Sequence, residues 1–452
     1  MMQLFKTNKG LPWLIWLILA GFMVFPPQNL AADLTLAQAV DTAISLNPGL
    51  QAAQFRTHSA GEKVVQARSG ALPQVQFMEQ VNRTTNPMWA FGTRLNQEVI
   101  TTQDFYPDSL NDPDAITNYA TRVAVDWPVY DSGQTWYGVQ QANLNQEATA
   151  FLQERIRQQV IANTITAYLR TLLVRENHIV VGQILETARA HLKMVQSRYD
   201  GGFVAKSDLL RAQVHIADLE QQLAESRSQT DIARCMLNIA MGGAGNLDKT
   251  LTTPLEAGAP MPGTLDDWIS KALSHRPDLK QLMAQKRIAE KEIDKSRAAR
   301  LPSVRLSGNY EINTEDFSDS GNNYTVGAVA SLTLFTGGRI SSAIREADLN
   351  LKQINATIQA MDQRICGETR QAFFSAQSAW KRIQVAQAAI GQSRESLRIV
   401  KNRYNNGLFT ITDLLDADVL VQQSLTHHLK AIHDYRAAMA HLELAAGTID
   451  KQ

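Results

Sequence analysis

The sequence predicts a mainly α-helical protein with a β-barrel portion, built from long coiled-coil hairpins and four membrane-spanning strands. Three observations lead there. Helical apolar spacing continues without a proline from Val129 to Thr253. The same pattern returns 205 residues later. Ahead of each long helix, the periodicity changes to a strict alternation of apolar and polar residues.

The long helix comes first. Phe151, Leu152, Ile156, Val160, Ile165, Leu169, Leu172, Ile179, Ile184 and Leu192 mark a helix over residues 134–198. The run Arg198-Tyr199-Asp200-Gly201-Gly202-Phe203 interrupts it, and Lys206-Ser207-Asp208-Leu209-Leu210 restarts the pattern over 205–242. A glycine turn between two periodic stretches predicts a hairpin whose second helix packs back on the first. A shift of 205 carries this hairpin onto Arg403-Tyr404-Asn405-Asn406-Gly407-Leu408 and Thr412-Asp413-Leu414-Leu415. Gly133 falls on Gly338 and Gly242 on Gly447 without a gap.

The remaining organisation follows in order. Residues 1–32 carry Lys6 and Lys9, an apolar core from Leu11 to Phe25 and Ala31-Ala32, the layout of a cleaved signal peptide. No cysteine follows this leader, which argues against a lipid anchor. A short amphipathic helix through Leu36, Val40 and Ile44 stops at Asn47-Pro48, and a second helix over 49–72 ends at Pro73. Both recur at an offset of 229, so Pro48 matches Pro277 and Leu72-Pro73 matches Leu301-Pro302. The difference between the offsets places 24 extra residues in the first half, between Pro73 and Gly133. The chain thus divides into a first repeat (33–242), a Gly- and Pro-rich inter-repeat linker (243–264), a second repeat (265–447) and a tail (448–452).

Four stretches alternate. Val304, Leu306, Tyr310 and Ile312 share one face against Arg305, Ser307, Asn309 and Glu311; Tyr324, Val326, Ala328, Ala330, Leu332 and Leu334 share a face in the partner. In the first half Tyr119, Thr121, Val123, Val125 and Trp127 oppose Ala120, Arg122, Ala124 and Asp126. Val75, Phe77 and Val81 form the fourth, with Glu79 in line with them. Such strands fit a transmembrane barrel, or a soluble hairpin with one wet face. The signal peptide favours the barrel. Four strands cannot close one, and open edges do not persist in lipid, so the chain requires partners of its own kind. The loop over 84–115 is read either as a flap over the barrel mouth or as an ordinary insertion.

Helix lengths add an architectural constraint. Sixty-five residues span about 98 Å, whereas the shorter helices of 24 and 38 residues together span about 93 Å. Stacked end to end, the two short helices match the long one, as a hollow wall of even height requires.

In this order of helix, strand pair and helix hairpin, duplicated over the whole mature chain, the sequence resembles the TolC-like outer-membrane channel family. The matching pieces are Asn47-Pro48 and Pro277, Leu72-Pro73 and Leu301-Pro302, and the turns Arg198-Tyr199-x-x-Gly202 and Arg403-Tyr404-x-x-Gly407. The resemblance implies a homotrimer in the outer membrane of a Gram-negative bacterium: a twelve-stranded barrel in lipid, continued by a twelve-helix periplasmic tunnel. It also implies an exit duct for tripartite efflux or type I secretion, docked by a periplasmic adaptor protein and an inner-membrane pump of RND or ABC type. Thr333 stands where Pro128 stands in the first repeat, and Phe409 where family members carry a basic latch residue, whereas Tyr404 matches the latch tyrosine.

By the same resemblance the periplasmic gate comprises Asp413, Asp416, Tyr404 and Asp208. Asp413 and Asp416, three apart at a helix start, share a face. They serve either as dipole-complementing first-turn acids or as rings of six carboxylates on a trimer axis. At about 6 Å and an effective dielectric of about 20, each like-charge pair costs roughly 3 kcal/mol, enough to bind cations and raise some pKa values. The turn residues Gly201, Gly202, Phe203, Asn406, Gly407 and Leu408 reverse the chain and offer an adaptor-docking surface. No catalytic, cofactor or metal constellation is read. The nine histidines are scattered, and Cys235 and Cys366 are read as buried, unpaired thiols, the alternative being a disulfide formed in an oxidising compartment, for which spacing gives no argument. The balance of 44 basic and 44 acidic residues gives no electrostatic grip on nucleic acid. A secreted coiled-coil scaffold or adhesion protein is the alternative class.

Overall fold

The computed structural model describes residues 33–244, 247 and 249–450. The signal-peptide reading and the end of the tail lie outside them. In chain order the elements are β1 (Asp33–Leu34), α1 (Leu36–Leu46), α2 (Pro48–Ser69), β2 (Gln74–Thr84), α3 (Pro87–Asn96), a 3-10 turn (Thr102–Phe105), α4 (Pro107–Asn111), β3 (Ile116–Tyr130), α5 (Gln134–Asp200), α6 (Lys206–Ala240), β4 (Thr250–Leu251), α7 (Leu265–His275), α8 (Pro277–Ala298), β5 (Ser303–Thr314), β6 (Gly321–Ser331), α9 (Arg339–Asn405) and α10 (Ile411–Ala446).

The two long helices have 67 residues each, about 100 Å. Their length is possible because neither contains a proline and each packs along its course against several shorter helices. Asn47 ends α1 and caps α2, its Oδ1 accepting from the Gly49 and Leu50 amides, while Pro48 takes the first helical position where no amide is needed. Helix α2 stops at Ser69, three residues before the boundary the sequence suggests, because the chain turns through Gly70 to meet Pro73 in extended form.

The short helices do stack. Helix α6 ends against the start of α2, where a Cβ on Gly242 would lie 2.6 Å from the Leu46 carbonyl oxygen. Helix α10 ends against the start of α8, where a Cβ on Gly447 would lie 2.9 Å from the Arg276 backbone. Both glycines hold positive φ, so only glycine meets both demands. Each half therefore contributes one long column and one composite column.

The four long strands form one antiparallel sheet in the order β2-β3-β5-β6, so the two halves join at the β3–β5 pair. Their register puts Val75, Phe77, Val123, Trp127, Tyr310 and Val326 on one exposed face. The opposite face carries Gln76, Arg122, Asp126, Arg305, Ser307 and Asn309, with Arg305 paired to Asp126. Glu79, the anomaly on the apolar side, accepts a 2.6 Å hydrogen bond from the Thr121 hydroxyl directly opposite. Eleven residues at about 3.4 Å each, tilted about 45°, cover the roughly 25 Å apolar band of an outer-membrane barrel.

One strand reading is corrected. The alternation through Leu332 and Leu334 continues in sequence, but β6 ends at Ser331. Its last partner is Ser303, the first residue of β5 after Pro302, so among the described residues nothing pairs with Leu332. At the corresponding end of β3 the ladder shifts between Pro128 and Tyr130, which absorbs the proline's missing donor.

The linker is more structured than its composition suggests. Its β4 pairs in parallel with β1, and this short ribbon lies on the middle of α5. Tyr168, fully buried, donates to the Leu34 carbonyl at 2.8 Å and accepts from the Thr253 amide. Arg175 donates to the Leu251 carbonyl, and Tyr435 on α10 to the Ala259 carbonyl. Here lies the largest apolar core, built around Ile161, Ile165, Leu172 and Leu237. The cysteines, expected to be buried, are half-buried on α6 and α9 and unpaired.

Candidate periplasmic gate and docking tip

The two helix hairpins end side by side, farthest along the chain from the strands. Helix α5 closes with Gly202 at φ 77°. The Gly202 amide donates to the Tyr199 carbonyl and the Phe203 amide to the Arg198 carbonyl, two bonds of a Schellman turn. The second turn repeats this, with Gly407 at φ 75°, its amide on the Tyr404 carbonyl and the Leu408 amide on the Arg403 carbonyl. Of the paired glycines, Gly202 supplies the left-handed residue; Gly201 remains right-handed at φ −81°. Asn406 ties its side chain back to the Asn402 carbonyl. Phe203 and Leu408, equivalent under the 205-residue shift, are 83 % and 72 % exposed. Each turn thus presents one bare apolar side chain.

Behind the turns, Val195, Leu209, Tyr404, Ile411 and Leu414 form a small core. Tyr404 is only 2 % exposed, whereas its equivalent Tyr199 is partly buried at the edge of this cluster. Arg198 explains the asymmetry. Its guanidinium donates to the Tyr404 carbonyl at 3.0 Å and the Asn405 carbonyl at 2.9 Å, and stacks 4.8 Å from the Tyr404 ring centroid. Two of the last carbonyls of α9 thereby gain a cationic donor from the other repeat, that of Tyr404 in addition to the Gly407 amide. Arg403, the equivalent residue, lies over the Phe409 ring at 5.2 Å instead. Sequence reasoning missed Arg198 as the residue that clasps the two turns, although its place beside Tyr199 in the repeated motif marked it.

The four gate residues come to one end of the molecule but do not all touch. The Tyr404 hydroxyl is buried without a hydrogen bond, and half-buried Asp208 does not reach it. Burial raises the Tyr404 phenol above its usual pKa; nearby Arg198 opposes this and Asp208 reinforces it. Asp413 and Asp416 are both exposed on the first turns of α10. Asp413 is occupied locally: its Oδ2 accepts from the Thr410 hydroxyl at 2.7 Å and amide at 2.8 Å, while Thr410 Oγ1 accepts from the Asp413 amide. This capping box, legible in Thr410-x-x-Asp413, went unread. It holds the Asp413 carboxyl below the usual carboxylate range.

A further buried pair lies deeper in the hairpins. His191 on α5 and Asp418 on α10 approach to 3.1 Å, both almost wholly enclosed. Their angle does not make a hydrogen bond. Nothing in the repeat marks them, since neither has a like residue at the equivalent position.

Comparison with known proteins agrees with this architecture. The family model described as outer membrane efflux protein matches residues 39–243 and 268–448. The chain belongs to the outer membrane efflux protein family. As a member it is an export channel of the Gram-negative outer membrane. Among relatives of this efflux family, it is 23 % identical over 447 residues to the alkaline protease secretion protein AprF of Pseudomonas aeruginosa, covering 93 % of this chain and 86 % of that one. It is 22 % identical over 466 residues to outer membrane protein TolC of Escherichia coli, covering 98 % and 87 %. Its fold superimposes on the crystal structure of a membrane protein from Pseudomonas aeruginosa with a TM-score of 0.77 at 18 % identity, covering 91 % and 92 % of the chains.

Proposed function

We propose that three copies of this chain close into one outer-membrane duct, opened at its periplasmic end by a docked adaptor and inner-membrane pump. One observation carries the reading: the four-stranded sheet has a face that is apolar apart from the Glu79–Thr121 pair, and among the described residues its two edges, β2 and β6, of 11 residues each, are unpaired. An edge bare in lipid leaves a ladder of amides and carbonyls without partners, so a spanning sheet of this kind must close. Edges of equal length allow β6 of one copy to pair with β2 of the next. The helices support the same assembly, since Phe55, Val65, Val214, Leu349, Phe374 and Val385 are exposed on the single chain.

At the tip, Arg198 and buried Tyr404 hold the two hairpins together, and Asp413 and Asp416 contribute carboxylate rings at the constriction. An adaptor that grips Phe203 and Leu408 pulls the hairpins outward and opens the duct. Photo-crosslinking from Phe203 and Leu408 in cells tests this. The expected partner is a periplasmic, inner-membrane-anchored protein with a helical hairpin, captured from both positions. Capture equally efficient from a mid-helix control such as Ser228, exposed on α6, or no such partner from either turn, overturns the docking role. No observation here favours the scaffold or adhesion alternative.

A further inference from the structure

We infer that residues 85–115 form a fixed collar inside the outer mouth of the barrel, held there by Gln97, and that this collar limits the size of what passes. The inference rests on the channel reading. It begins with direction. The loop joins the ends of β2 and β3 that lie away from the helices, which places it on the external side.

An ordinary insertion would lean outward and hydrogen-bond to water. This one turns inward. Gln97, at the end of α3, is 2 % exposed, and its Nε2 donates to the Thr117 carbonyl and to Asn118 Oδ1, both at 2.9 Å. Asn118 Nδ2 donates to Asn313 Oδ1 at 2.7 Å, and Asn313 Nδ2 to Glu311 Oε1 at 2.9 Å. Glu311 Oε2 accepts from Arg122 Nε at 2.6 Å. By register, Asn118, Arg122, Asn313 and Glu311 all project from the polar face, the lumen side of a closed barrel. The loop therefore covers lumen-facing groups, and Asn313 is completely enclosed. Among these linked groups Gln97 Oε1 alone is buried without a partner; the donors and acceptors of the rest favour one arrangement, because breaking any of these bonds would leave a buried polar group unpaired.

Two independent features pin the other side. Glu98 holds φ at 60°, uncommon for a residue with a side chain, and its Oε1 accepts from the Asn322 amide on β6 at 3.2 Å. At Gly321 an added Cβ would sit 2.3 Å from the Asn96 carbonyl oxygen. The loop also has internal order: Arg94 pairs with Asp104 at 2.8 Å, Asp104 accepts from the Thr101 amide, and the Phe91 and Phe105 rings meet edge to face. The corresponding connection in the second repeat, residues 315–320, is short and leaves room for it.

Ser307, exposed on the polar face of β5 and nearer the helices than Asn313, reports on access past the collar. In a Cys235→Ser, Cys366→Ser background, Ser307→Cys is labelled on intact cells with a short or a long polyethylene-glycol maleimide. With the native loop, only the short reagent is expected to react. Gly321→Leu, or replacement of residues 87–112 by a short Gly-Ser linker, brings the long reagent up to the rate of the short one. The inference is overturned if the long reagent already reacts at that rate with the native loop, or if loop replacement leaves it excluded. Short-reagent labelling in every variant keeps the channel reading intact whichever way the collar falls. Its failure throughout would overturn both, since no lumen would lie behind the loop.

Discussion

The side-chain amide of Asn47 donates to the carbonyl of Ala240 at 3.2 Å, joining the start of α2 to the end of α6. In the second repeat Arg276 stands where Asn47 stands, and its guanidinium points at Ala445, the equivalent carbonyl, at 3.5 Å. The same joint is thus made by two different residues. Each composite column depends on it, because helices that merely abut leave terminal carbonyls unpaired.

The joint tolerates nothing larger than glycine on its far side. Gly242→Ala and Gly447→Ala should each cost roughly 1–3 kcal/mol from the left-handed backbone alone, with the close backbone contact adding to it. Gly138→Ala, in helix α5 with open space around it, should be neutral or slightly stabilising. Thermal unfolding followed by circular dichroism in detergent compares the three. Equal melting temperatures would remove the joint from the account.

The second joint should be sensitive to acid. Burial alone would raise the Asp278 carboxyl, but the Arg276 fork at 2.6 Å and nearby Arg155 hold it below the usual range. A depressed carboxylate contributes stability that is present above about pH 4 and lost as pH falls through its folded pKa. Asp278→Asn should therefore be less stable than the parent at neutral pH, with the gap narrowing in acid. Melting temperatures measured from pH 7 down to pH 3 give the answer, and a gap constant with pH would contradict the assignment.

Arg198 is the clasp at the tip. Arg198→Ala removes two charge-assisted hydrogen bonds and a ring stack, about 1–3 kcal/mol in a half-exposed setting. In planar bilayers its single-channel conductance should exceed the parent's, with longer open times. Arg403→Ala, which loses only its contact with Phe409, should change little. Identical behaviour of the two variants would show that the clasp is not specific.

Much of this was legible in the sequence, for physical reasons. Helices of 67 residues announce themselves because a proline-free apolar spacing leaves the chain few other choices, and the duplicated glycines mark backbone positions that no side chain can occupy. What stayed hidden depends on contacts distant in sequence. Arg198 and Arg403 occupy equivalent places, yet only Arg198 crosses to the other turn, and no local pattern distinguishes them. Pairing of β1 with β4 brings together residues more than 200 apart, and two-residue strands carry no periodicity. The end of β6 at Ser331 was likewise set by its partner strand rather than by its own alternation.

The gate carboxylates can be separated from their capping role. Asp413→Ala with Asp416→Ala should raise conductance and weaken block by multivalent cations. Thr410→Val loses the capping box, typically about 1 kcal/mol of helix stability, but keeps both charges, so cation block should persist. Bilayer recordings with added multivalent cations compare the variants. Block that survives the double substitution would end the gate assignment.

The central claim is that the open-edged sheet is completed by two further copies. The mass of the protein extracted from the outer membrane, measured by light scattering with the detergent contribution subtracted, tests it most directly. Three chains per particle is the result expected; a stable particle of one or two chains would contradict it.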